Sequence, residues 1–315
     1  MTKKLIILTL ILFSIYQSKS QKRIDDISEL LINTTIKVSS TEESTVLGVK
    51  HKFSSSGTGF FFNFKLNDSI YIPVIVTNRH VIANSIDGFL TFNIVDSNSM
   101  PTYGKKQLVY LKNFKSYWMI HPDSTVDLAI MPIQPLLDDY KKRGISLSFL
   151  PLDEQLIPND STKKTLAAIE NVYMIGYPFG RRDEFNNLPI VRRGITATPS
   201  FLDYEGRKEF LADLPVYFGS SGSPIVIYEN GFSTKQGGFV SGQRVIFLGI
   251  NYATYLKNYE GKILPKFSYD ISTDSTKTEI SIPYNLGIII KSERLLEFKP
   301  ILEKLVGLPS RKKIK

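Results

Sequence analysis

Short apolar runs dominate this 315-residue chain, and they fall into two sets. The first is GTGFFFNF, IYIPVIVTN, FLTFNIV, QLVYLKNF, YWMI and DLAIMPI. The second is VYMIGYP, PIVRRGITATP, EFLADLPVYF, SPIVIYE, RVIFLGINYAT and NLGIIIK. Each is rich in Val, Ile, Phe and Tyr, and Gly, Asn, Asp and Ser separate neighbours. β-Branched and aromatic side chains fit a pleated, half-buried surface, so each run reads as a strand. Two successive sets predict two similar all-β units, each closed or nearly so.

The remaining segments divide the chain further. Residues 1–20 read as a signal peptide and 21–55 as an N-terminal extension, with a short helix expected at Ile27 to Ile32. The first β unit is expected over 56–133 and the second over 171–291. Between them, residues 134–170 carry more charge and proline and weak strand signal, so they read as an interdomain connection. Residues 292–315 read as a C-terminal helix and a basic tail.

The N-terminus sets the compartment. Lys3 and Lys4 precede an apolar run from Leu5 to Tyr16, and small and polar residues follow through Ser20. That is the layout of a secretory signal, with cleavage expected near Ser20. The run is short against the roughly 20 residues that span a bilayer, so no span is expected after cleavage. An uncleaved anchor is the alternative. The mature chain is expected to be secreted or periplasmic. With no cysteine, disulfides and thiol nucleophiles are excluded. The chain is basic, at net +9, and Arg311, Lys312, Lys313 and Lys315 sit at its end. That tail reads as a solvated end. No nucleic-acid module is present, so no nucleic-acid partner is expected. No metal or organic cofactor is expected either.

The stretch FGSSGSPIV, Phe218 to Val226, is either a small-residue turn feeding a strand or a nucleophile loop. A serine hydroxyl needs a base to take its proton, and histidine is the usual one near neutral pH. The chain has three: His51, His80 and His121. All precede the serines, which excludes the α/β-hydrolase order of Ser, acid, His. The order His, Asp, Ser stays open. His80, in IVTNRHVIAN, stands where an apolar strand ends, so its ring can face a cleft from a fixed backbone. A purely structural role is the alternative. His121 reads as a loop residue and His51 as lying ahead of the first firm strand. Asp127 opens DLAIMPI, and an acid leading an apolar strand must be paired or solvated. Asp123 is its local rival. In the turn, Gly219 admits backbone angles other residues resist. The N–H groups of Gly219 and Ser221 can then point to one spot and receive an oxyanion.

In the order TNRHVI, DLAI, GSSGSP, these segments resemble the three catalytic motifs of trypsin-like (chymotrypsin-fold) serine peptidases. SSGTGFFF, IGYPFG with RRGITATP, FLGINYAT and NLGIIIKSERLLEF resemble flanking features of the bacterial Deg/HtrA-type protease domain. FLGINYAT is similar to the strand that runs beside bound substrate. The resemblance covers roughly residues 55 to 300, and no PDZ-like segment follows. It departs from the usual G-x-S-G-G-P turn, because Ser223 stands for the second glycine. The resemblance implies two six-stranded antiparallel β-barrels with a C-terminal helix. It implies Ser221 as nucleophile, His80 as base then acid, Asp127 as orienting carboxylate, and the Gly219 and Ser221 amides as the oxyanion hole. The partner implied is a protein or peptide substrate. Pro215 stands where family members that select Lys or Arg carry an acid, so a small or aliphatic P1 residue is expected, with Tyr252 narrowing the pocket. A catalytically inactive binding protein on the same fold is the alternative.

Overall fold

The computed structural model describes residues 27–46, 48–97, 100–233, 237–262 and 277–308. The expected signal segment and the Arg311–Lys315 tail lie outside the described residues. The short helix expected at the start is present as Ile27–Ile32.

The first half contains β1 (Thr35–Val46), β2 (Val49–Lys65), β3 (Tyr71–Thr77), β4 (Ser85–Val95) and β5 (Pro101–Leu111). It continues with β6 (Met119–Ile120), β7 (Ala129–Pro132) and β8 (Leu152–Asp153). These form one eight-stranded sheet in the order β5-β4-β1-β2-β3-β7-β6, with β8 on β2. The β8 pairing is the one parallel contact among the described strands. Eight strands replace the six expected here. β1 accounts for one extra strand, and it lies in the segment expected as an N-terminal extension. Its sequence, TIKVSSTEESTV, is mostly polar. Ile36 and Val38 bury one face of it, and pairing with β2 and β4 on both sides holds the polar remainder. β8, a two-residue strand in the expected connection, is the other.

The second half contains β9 (Asn171–Gly176), β10 (Ile190–Thr196), β11 (Glu209–Asp213), β12 (Pro224–Ser233), β13 (Phe239–Lys262) and β14 (Lys277–Lys291). They close into a six-stranded barrel in the order β10-β11-β14-β13-β12-β9.

Three apolar clusters hold these sheets. One lies in the first half, around Ile36, Val38, Phe61, Ile75 and Phe92. One fills the second, around Val172, Phe210, Ile225 and Leu248. The largest lies between the halves, where Phe60, Phe62 and Phe64 of β2 meet Val226, Phe247 and Ile290. The Phe60–Phe64 run thus divides by the strand's alternation: Phe61 goes to one face and its neighbours to the other. Phe60 meets Phe247 edge-on at 5.3 Å between centroids. Each such fully buried ring contributes about 1.5–3 kcal/mol.

A 3₁₀ turn, Ser292–Phe298, and the helix Lys299–Leu305 close the chain, and Leu295, Phe298 and Leu302 enter the central cluster. His121, expected as a loop residue, is buried beneath this segment, its ring 5.0 Å from that of Phe298. The Asp123 amide donates to its Nδ1 at 3.1 Å, and Nε2 lies 3.1 Å from the Arg294 carbonyl. Nδ1 accepting and Nε2 donating satisfies both. Arg294 in turn donates to Asp123 at 2.8 Å. Among the described residues, no helix is long and apolar enough to cross a membrane.

Candidate active site

β3 ends at Thr77, and the chain turns at Asn78 into the one-turn helix Arg79–Ile82. Asn78 Nδ2 donates to the Asp127 carbonyl at 2.8 Å, which fixes this turn against the lead-in to β7. Val81 and Ile82 are buried, so His80 faces outward. Its Nδ1 lies 2.5 Å from Asp127 Oδ2, and its backbone N–H donates to Oδ1 at 3.0 Å. One carboxylate therefore holds both the ring and the backbone of His80. Burial works to raise the Asp127 pKa, but the hydrogen bonds and charge of His80, aided by Arg79, outweigh it and hold the carboxyl below its ordinary value. An ionised Asp127 keeps the proton on Nδ1 and leaves Nε2 as the acceptor. Asp123 does not compete, because Thr125 and Arg294 engage it. His51 sits in the exposed outer part of β2, opposite Ser44.

Two positive-φ glycines shape the serine loop. Gly219 has φ +86° and Gly222 φ +85°, angles at which a side chain is strained. Space forbids one as well. A Cβ on Gly219 would lie 2.4 Å from the Tyr177 carbonyl oxygen, and one on Gly222 would lie 2.0 Å from that of Thr58. The three serines then separate by burial. Ser220 and Ser223 are fully buried, and only Ser221 has its side chain partly open. Ser223 Oγ lies against Gly176, where a Cβ would come within 2.0 Å of it.

The loop's amides alternate. Those of Ser220, Gly222 and Ser223 donate to Tyr217, Asn251 and Ser220 carbonyls at 2.9, 2.9 and 3.1 Å. Those of Gly219 and Ser221 have no acceptor among the described residues. The cause lies one peptide earlier in each case. The Phe218 carbonyl is pinned by the Phe179 amide at 2.5 Å. The Ser220 carbonyl is pinned by Asn251 Nδ2 at 3.2 Å and the Ser223 amide at 3.1 Å. In a trans peptide the next N–H points the opposite way, so both amides turn outward. Two adjacent outward donors can stabilise a developing oxyanion.

Thr58 joins this loop to the first half. Its amide donates to the Ser221 carbonyl at 2.8 Å, and its Oγ1 donates to the Gly219 carbonyl at 2.9 Å. Thr77, just ahead of the His80 turn, donates to the Thr58 carbonyl at 2.7 Å. The seam thus carries Ser221 and the His80 turn together. Ser221 Oγ makes a long 3.5 Å contact with the Tyr252 carbonyl, and no hydrogen bond joins it to His80.

The two specificity candidates have defined surroundings. The Pro215 carbonyl accepts from Arg192 at 3.1 Å, and that guanidinium lies 4.7 Å over the Tyr217 ring. The Tyr252 phenol donates to Glu209 at 3.1 Å. Burial, then the Glu209 charge, push that phenol up to about 12.

These features agree with a family comparison. The model of the trypsin-like peptidase domain matches residues 57–231. This chain belongs to the trypsin-like peptidases. It is accordingly a serine peptidase by family, on a mostly β fold with a C-terminal helix. A search of curated proteins finds no match. Among solved structures, one of the Rv3671c protease in its inactive form is 14% identical, with a TM-score of 0.39 over 86% of this chain and 90% of that one. A point mutant of Rv3671c from M. tuberculosis H37Rv, also in an inactive form, is 12% identical, with a TM-score of 0.38 over 92% and 94%.

Three residues of this peptidase's site escape reading by motif: Thr58, Phe179 and Asn251. Each acts by holding a backbone carbonyl or amide of the serine loop, and such bonds leave no spacing in the sequence. Thr58 and Phe179 lie inside SSGTGFFF and IGYPFG, which signalled a flanking role without its nature.

Proposed function

We propose that this peptidase is an active endopeptidase that hydrolyses peptide bonds through an acyl-enzyme on Ser221. The supporting observation is the pair of outward, acceptor-free amides at Gly219 and Ser221 beside the only accessible hydroxyl of the loop. In the proposed reaction the Ser221 hydroxyl leaves the Tyr252 carbonyl and donates to Nε2 of His80. The oxygen attacks the scissile carbonyl as His80 takes the proton. The carbonyl oxygen becomes an oxyanion between the two amides, while Asp127 stabilises the imidazolium. The C–N bond then breaks, and His80 delivers its proton to the leaving amine. Water, deprotonated by His80, repeats the addition and releases the acid. No metal or organic cofactor takes part.

Pro215 in place of an acid supports cleavage after small or aliphatic residues, with Tyr252 narrowing the pocket. A peptide-library profile dominated by Arg or Lys would overturn that specificity. The N-terminal pattern supports export to the medium or periplasm; N-terminal sequencing of the mature chain, expected to begin near Gln21, tests it.

The binding-protein reading has one observation in its favour, the missing Ser221–His80 hydrogen bond. A fluorophosphonate probe separates the two. Covalent label on Ser221, absent from Ser221→Ala, is the expected result, and an unlabelled wild-type protein sinks the hydrolase.

A further inference from the structure

Lys37 alternates along β1 with Ile36 and Val38, which enter the first-half core. It therefore points from the opposite face. Its register partner is Thr58, the residue whose hydroxyl holds Gly219. Lys37 Nζ reaches the second half at Gly180, where a Cβ would stand 3.2 Å from it. Gly180 follows Phe179, whose amide pins the Phe218 carbonyl and so aims the Gly219 donor. Phe179 has φ +52°, a strained angle for a bulky residue, and that amide bond is what it supports.

Three features here lack a role. Lys37 is half-buried, yet no carboxylate pairs with it among the described residues. The acid within reach, Glu184, is taken by Arg182 Nε at 2.9 Å. Burial, then the Arg182 charge, hold the Lys37 ammonium below its ordinary pKa. Glu184 offsets this only in part, so a half-buried cation whose nearest carboxylate is engaged by Arg182 gains from a further anion. Phe179, next to Gly180, and Phe218, whose carbonyl takes the Phe179 amide, are 59% and 80% exposed. Phe218 precedes Gly219, while the Ser221 hydroxyl contacts the Tyr252 carbonyl of β13. If the acyl part of a peptide follows β13, its leaving part is free to run toward Phe218 and Phe179.

We propose that Lys37 receives a carboxylate on the leaving-group part of the peptide, with Phe179 and Phe218 packing against the same segment. The proposal rests on the endopeptidase reading and names its substrate class: peptides carrying Asp or Glu, or a free C-terminus, within a few residues beyond the scissile bond.

The test compares matched peptides by chromatography of the products. One arm sets Glu against Gln at each of the first three positions after the scissile bond. The other sets a free C-terminal acid against its amide two residues past that bond. Wild-type kcat/KM should favour the carboxylate about tenfold in one arm, and the arm identifies its source. Lys37→Met should bring that ratio close to one, while Lys37→Arg keeps it. A wild-type ratio near one, or one that persists in Lys37→Met, overturns the proposal. Phosphonate labelling runs beside it. Label without discrimination sinks only the role of Lys37, whereas no label sinks the endopeptidase and this role together.

Discussion

The two halves of the molecule hold their chemistry by different means. The first half fixes the proposed base through side-chain bonds: Asp127 takes both the ring and the amide of His80. The second fixes the proposed nucleophile's loop through the backbone, with carbonyls pinned so that the Gly219 and Ser221 amides turn outward. The difference follows from what each part must do. A base must hold one tautomer yet accept and return a proton, which a carboxylate partner allows. An oxyanion site must not relax as charge develops, which pinned peptides ensure.

Substitutions can break this comparison, and the largest effect belongs to the proposed nucleophile. Ser221→Ala should lower kcat about 10⁶-fold without loss of fold, read by peptide hydrolysis and thermal melting. Asp127→Asn attacks the side-chain device. It should cost about 10⁴-fold in kcat through the wrong His80 tautomer, with Tm little changed. If Asp127→Asn keeps its activity, His80 is held by something else. Gly219→Ala attacks the backbone device, combining a forbidden φ with a close approach to the Tyr177 carbonyl. About 10²–10³-fold loss of kcat at little changed KM is expected. Asn251→Ala removes only one of two donors to the Ser220 carbonyl, so a smaller loss of about tenfold in kcat, with phosphonate labelling slowed to match, is expected.

The smallest effect concerns the segment that joins the halves. Burial alone would raise Glu293, but hydrogen bonds from Lys163 and Lys208 dominate and bring it down to about 2. Its ordinary value is 4.5, so the folded state binds this proton less readily than the unfolded chain. The stability it contributes is present above about pH 4.5 and is lost as pH falls toward about 2. Asp127, also lowered, adds in the same direction. Thermal melts across that range should show Tm falling with acid, and Glu293→Gln should flatten the slope.

Much of this architecture was legible from strand chemistry. Every apolar run of the second set lies on a strand of the closed barrel, and all but that of β10 send side chains into its core. β1 was not legible, since only Ile36 and Val38 mark its buried face and the polar residues after them are held by pairing with neighbouring strands. His121 does lie in a loop, as a histidine before a proline suggests. Its burial was not legible, because the C-terminal turn that covers it and supplies its acceptor is distant in the chain. In GSSGSP, the glycines announced an unusual turn. Which serine stays open depended on contacts of Ser223 with Gly176, Ser220 with Tyr217 and Ser221 with Tyr252, two of them between residues far apart in the chain.

By itself the sequence determined the two-part β organisation, the histidine-before-serine order that excluded one hydrolase fold, and the candidates His80, Asp127 and Ser221. These follow from residue type and order along the chain. Only the tertiary structure decided that Asp127 grips His80 twice, that Phe179 and Asn251 aim the two donors, and that Lys37 has no carboxylate partner among the described residues. Those are relations between backbone directions and side chains from distant strands, which are fixed only when the two halves pack against each other.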